Sequence, residues 1–142
     1  MELVVYPLLR EMFGELERAS ILDFYSREEN AYLEVKRNSQ LKLEQASFIL
    51  SLEGEARVFI ITTEKKVGHY SKIGFERRAV LDTILGKVFL MELSDWAAFR
   101  AFFEPAVKRK EEIKKVLERE AIRILRRGPT RRKPSNSGES YA

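Results

Sequence analysis

Apolar residues recur at three- and four-residue intervals through residues 6–18, at Leu8, Leu9, Met12, Phe13 and Leu16. That spacing places them on one face of a helix. Pro7 falls near the first turn, where a missing N–H is harmless. Two short runs rich in aromatic and β-branched residues follow, at 21–26 and 31–36, separated by the polar residues 27–30. This is a hairpin signal. A four-residue loop pairs Ser26 with Ala31, and the same register sets Asp23 directly opposite Glu34. Leu43, Ala46, Ile49 and Leu50 return to helical spacing, which predicts a helix over 41–53 ended by Gly54. Residues 58–62 are nearly all apolar, as in a strand covered on both faces. Strand, helix and strand then form a crossover unit with its two strands parallel.

The second half is less regular. Residues 64–78 carry Lys65, Lys66, His69, Tyr70 and Lys72 with no clear period, and read as a basic loop or a short strand. Residues 77–85 read as a short helix closed by Gly86, and 87–93 as a strand. Ser94 is the expected cap of the next helix, with Asp95 favourable in its first turn. Trp96, Phe99, Phe102 and Phe103 follow that helix's spacing. A buried face explains them better than base stacking, and any exposed part of the stripe is the natural homodimer surface. Pro105 then opens a further helix over 105–127. Its apolar stripe of Ile113, Val116, Leu117, Ala121, Ile122 and Leu125 should pack on something. These elements describe an α/β fold: a small mixed sheet of about four strands flanked by helices, with an added C-terminal helix. Residues 1–127 form one domain, and the polar tail 128–142 is expected to be disordered.

Composition narrows the function. A chain of 142 residues suits one domain with a real core. The absence of cysteine excludes disulfides and thiolate metal sites and points to a reducing compartment, the cytoplasm. No apolar run approaches the ~20 residues that span a membrane, and the first residues lack the pattern of a secretory signal. Charge is unevenly spread. Residues 108–133 hold 12 Lys or Arg against 4 Glu, in a chain whose net charge is +4, so the remainder is net acidic. Such a segment attracts phosphates without reading sequence. Lys108, Arg109, Lys115, Arg126, Arg127, Arg131 and Arg132 are the expected nucleic-acid contacts. A solvated helix with internal ion pairs is the plainer alternative.

The sharpest chemistry lies in the hairpin. Asp23, Glu34 and Lys36 share one face in the expected register. Two carboxylates directly opposed destabilise a sheet unless a cation sits between them. A divalent ion with a lysine beside it suits attack of water on a phosphodiester, because metal and ammonium both stabilise developing charge. Ordinary surface charges on a solvent-facing hairpin would give the same three letters. His69, the only histidine, is more readily an exposed loop residue than a catalytic one, and no zinc-type set is supported.

These residues, followed by the helix and the apolar strand, resemble the PD-(D/E)xK nuclease superfamily, and the Holliday-junction resolvase-like branch in particular. The resemblance covers roughly residues 8–62. Asp23 matches the first acid, Glu34-Val35-Lys36 the E-x-K, and Gln45 a glutamine that several branches carry early on the helix. Leu22 stands where the motif has proline. The resemblance implies a restriction-endonuclease-like core and hydrolysis of DNA with Mg²⁺ or Mn²⁺. It implies that Asp23, Glu34 and the Val35 carbonyl hold the metal, while Lys36 and Gln45 position water or phosphate. It also implies an acid from the N-terminal helix, for which Glu11 and Glu15 are the two choices. Branched DNA cut by a homodimer, in repair or recombination, is the substrate class of the resolvase-like members. The competing expectations are a non-catalytic nucleic-acid-binding protein that uses its basic helix, and a structural protein assembled through its aromatic stripe.

Overall fold

A computed structural model describes residues 1–127. Along them lie α1 (Glu2–Phe13), β1 (Leu16–Arg18), β2 (Phe24–Ser26), β3 (Ala31–Lys36), α2 (Leu43–Leu52), β4 (Arg57–Thr63), α3 (Glu64–Lys72), β5 (Phe75–Thr83), β6 (Gly86–Leu93) and α4 (Trp96–Arg127). The strands make one mixed sheet in the order β1-β2-β3-β4-β6-β5. Only β3 and β4 are parallel neighbours; the other pairs are antiparallel. The chain divides into two units, Met1–Val107 and a second beginning at Lys108.

Alternation along the strands sorts the first unit's core into two layers. Val58 and Ile60 of β4 and Phe89, Met91 and Leu93 of β6 face Ala46 and Ile49 of α2, Tyr70 of α3 and Phe99 and Phe103 of α4. Phe59, Ile61, Val88 and Leu90 face the other way, onto Val5, Leu9 and Phe13 of α1. β4 is therefore covered on both sides, as its unbroken apolar run requires. Each fully buried Ile or Phe of this kind contributes about 1.5–3 kcal/mol.

The hairpin register is the expected one: Ser26 pairs with Ala31 and Phe24 with Leu33. The parallel pairing of β3 with β4 is also as expected. Several features differ. The sheet has six strands rather than four. The first helix spans Glu2–Phe13 rather than 6–18. It stops at Gly14, whose φ of 79° favours glycine, and a Cβ there would collide with the Glu28 carboxylate. Leu16–Arg18 becomes the edge strand β1 instead. Residues 64–72, expected as loop or strand, form α3. The expected helix over 77–85 is the strand β5, paired along its length with β6 across a turn at Ile84 and Leu85. Finally, α4 is one helix where two were expected. Pro105 removes one backbone hydrogen bond from a helix interior. Phe99, Phe103 and Val107 nevertheless continue one buried face across it at four-residue spacing. The α4 cap is Asp95 rather than Ser94: its Oδ1 accepts from the Ala98 N–H at 3.0 Å.

In the second unit, residues 108–127 are all exposed. The stripe expected to pack keeps Ile113, Val116, Leu117, Ile122 and Leu125 half or more exposed. Arg131, Arg132 and the rest of the expected tail lie outside the described residues.

Candidate active site

β2 ends its pairing one residue after Asp23, and β3 carries Glu34 and Lys36 on the face toward α2. The two carboxylates meet through the backbone. The Asp23 N–H donates to Glu34 Oε1 at 2.9 Å, and the Val35 N–H donates to Asp23 Oδ2 at 2.8 Å. The pair is thus locked in position by two amides. On its other side, Glu34 Oε2 accepts from Gln45 Nε2 at 2.9 Å and faces the Lys36 ammonium at 3.4 Å. Gln45 occupies the first turn of α2, and its Oε1 also accepts from the Lys42 N–H at 3.1 Å. One amide side chain therefore both closes the helix start and orients Glu34. Glu34, Lys36 and Gln45 are 5%, 6% and 7% exposed, and charged side chains as deep as the first two seldom lie unpaired. Asp23 is half-buried.

Burial dominates the electrostatics. Desolvation raises the Asp23 carboxyl above its ordinary value; the Val35 amide offsets part of this, and the Glu2 charge adds to it. Glu34 is raised by desolvation and then by the charge of Asp23, against hydrogen bonding from Gln45 and attraction to Lys36. Tyr70, wholly buried on α3, is pushed up to about 12 by burial and by the Glu34 charge. Its hydroxyl donates to the Ser39 carbonyl at 3.3 Å, tying α3 to the chain between β3 and α2. Two mutually repelling carboxylates raised in this way are oxygen donors suited to a hard divalent cation, which binds through one or two carboxylates and keeps water in its remaining positions. Among the described residues, no group of three or more His, Asp or Glu side chains is arranged to hold a metal.

The structure thus brings together Asp23, Glu34, Lys36 and Gln45. Glu11 and Glu15 are exposed, and Glu15 lies beyond the helix, paired with Arg10 at 2.7 Å. The acid of α1 that acts on Asp23 is Glu2, in the first turn, itself bound to Arg18 at 2.9 Å. Apolar periodicity alone starts the helix at Tyr6 and leaves Glu2 outside it; an acid in the first turn of the helix that begins at Glu2 is the signal that points to it. Lys108, Arg109, Lys115, Arg126 and Arg127 lie on α4 in the second unit, exposed. His69 is half-buried on α3. Burial and the charges of Lys66 and Lys72 lower its pKa, and its Nε2 has no hydrogen-bond partner.

Compared with protein-family models, curated proteins and solved structures, the chain finds no match in any of the three.

Proposed function

We propose that this protein hydrolyses DNA phosphodiester bonds with Mg²⁺ or Mn²⁺, on a restriction-endonuclease-like core of the PD-(D/E)xK type. The observation that carries the reading is the pair of half-buried Asp23 and buried Glu34, cross-tied through the backbone, with the Lys36 ammonium 3.4 Å from Glu34. Burying two like charges side by side is expensive. A purely structural site would use a neutral pair, so the arrangement makes sense if a cation joins it. Asp23 and Glu34 would hold that ion. An extended residue points its N–H and C=O toward the same neighbour, so the Val35 carbonyl is available on the Asp23 side too. When bound, the ion polarises the phosphoryl oxygen and acidifies a water.

The chain's own residues do the rest. Gln45 fixes the rotamer of Glu34. Lys36 balances the carboxylate charge before substrate arrives and stabilises the developing phosphorane charge afterwards. Glu2 is the acid of α1 placed to sense Asp23. Exposed Lys and Arg on α4 supply non-specific attraction to the phosphate backbone. Branched DNA and a homodimeric assembly are the finer expectations, and the cytoplasm is the compartment proposed. The second reading, a non-catalytic nucleic-acid binder, draws on the same exposed basic residues of α4.

The test is incubation of the protein with linear, single-stranded and four-way-junction DNA in Mg²⁺, Mn²⁺ or EDTA. Cleavage should require metal. Asp23→Asn, Glu34→Gln and Lys36→Ala should each slow it by about a hundredfold or more, with binding retained. Near-normal cutting by all three would remove the site assignment. DNA binding without any cutting by the wild type would favour the non-catalytic reading.

A further inference from the structure

β4 runs parallel to β3 with Lys36 opposite Thr62 and Glu34 opposite Ile60. Residues directly opposed on neighbouring strands share a face, so the Thr62 side chain stands beside the Lys36 stem, one step from the carboxylate pair. Thr62 is wholly buried, and its Oγ1 has no hydrogen-bond partner. Buried hydroxyls are nearly always satisfied, and one that is not calls for an explanation. Beside it, the Lys36 ammonium carries three donors. Its carboxylate contact with Glu34, at 3.4 Å, is longer than an ordinary charge-assisted hydrogen bond. Two buried polar groups with spare capacity therefore stand at paired positions on one face. A buried water needs two to four polar partners, and these two groups supply them.

We infer that Thr62 is a positioning residue for Lys36: one ordered water, bonded to the Thr62 hydroxyl and to the ammonium, fixes Nζ against Glu34. The flexible lysine side chain has a four-carbon stem and one anchor in Glu34. The Thr62 water gives it a second anchor, from the strand on the opposite side of β3 from Asp23. The functional meaning rests on the nuclease reading of Lys36; the structural claim does not. The hydroxyl acts through Lys36 and touches no reacting atom.

A double-mutant cycle on the full chain decides it by thermal melting. Thr62→Val preserves shape and removes only the hydroxyl. If the hydroxyl were idle, this change would leave the melting temperature unchanged or raise it, because an unpaired buried polar group becomes a methyl. The inference expects the reverse. T62V should melt lower by roughly 4 °C, Thr62→Ser should retain most of the wild-type value, and the T62V effect should vanish in a Lys36→Met background, with K36Q in reserve should K36M not fold. T62V melting at or above wild type overturns the inference. So does an equal drop with and without Lys36, which would mean that Thr62 acts alone. Where the wild type cuts DNA, T62V should lower kcat with KM unchanged and T62S should restore it; an unchanged kcat also overturns it. If the wild type cuts nothing, the nuclease reading fails, and the melting cycle still decides the role of Thr62.

Discussion

A carboxyl group that is buried beside another carboxyl resists losing its proton. Asp23 and Glu34 are both raised, from ordinary values of 3.8 and 4.5, by desolvation first. A group raised on folding contributes stability that is complete below its unfolded pKa and is lost as pH rises through its folded pKa. In EDTA, the site should therefore weaken the fold as pH climbs from about 4 through the two raised values. Asp23→Asn should flatten that loss and melt above wild type at neutral pH. A divalent ion that binds only the folded chain acts in the opposite direction, adding about 2.7 kcal/mol at a hundred times its Kd. That is several degrees in melting temperature for the wild type and little for Asp23→Asn. Melting curves of both proteins with and without Mn²⁺ measure it; equal metal shifts would exclude Asp23 as a major ligand.

Among the elements, β5 shows how far a partner strand can override a local pattern. Arg77, Arg78, Ala79 and Val80 carry no strong alternation, and Gly86 looks like a helix end. Pairing with β6 nonetheless settles the segment as strand, with a register shift between Arg77 and Ala79. The shift fits a clamp on the α1 face. Glu92 of β6 accepts from Arg57 of β4 at 2.9 Å and from Arg78 of β5 at 2.9 Å, joining three strands. Burial works against its charge, but hydrogen bonds from Arg57 and Arg78, and then their charges, hold its carboxyl below the usual 4.5. The sign is opposite to that at the site: stability from Glu92 is present above its unfolded pKa and lost as pH falls through the folded value. Both arginines are nearly half exposed, so solvent screening keeps the effect modest. Glu92→Gln should lower stability by about 1 kcal/mol at pH 7 and by progressively less in acid. A fall in urea midpoint with unchanged slope would show it.

For the whole molecule, the division at Val107 is the informative fact. The unit Met1–Val107 holds both core layers and every residue of the candidate site. A chain ending at Val107 should therefore melt cooperatively on its own and keep any metal-induced shift. It should bind duplex DNA more weakly, with the slope of log affinity against log salt shallower by about 0.9 for each phosphate that α4 no longer neutralises. An unchanged slope would mean that the exposed basic residues of α4 do not touch DNA. No described helix is long and apolar enough to cross a membrane.

The hairpin and the buried strand were legible from the sequence, because each rests on local chemistry. Polar residues 27–30 set the Ser26–Ala31 register, and that register alone places Asp23 against Glu34. The apolar run of β4 declares two-sided burial. Gln45, in the first turn of α2, was singled out by the family resemblance alone and by no local pattern. Proximity between residues that no single hairpin or crossover unit joins was not readable. Arg77–Thr83 becomes strand because β6 offers it a ladder. α4 runs through Pro105 because Phe103 and Val107 lie on one buried face. Glu2, rather than Glu11 or Glu15, reaches the Asp23 field because α1 begins at Glu2, whose carboxylate is held by Arg18 of β1. Thr62 looks like any strand threonine until β4 is laid beside β3; only then does its hydroxyl stand unpaired next to Lys36. Periodicity and turn chemistry act over a few residues and are written in the chain. Which strands become neighbours, and which polar groups are then sealed from water, is decided by packing across the whole sheet.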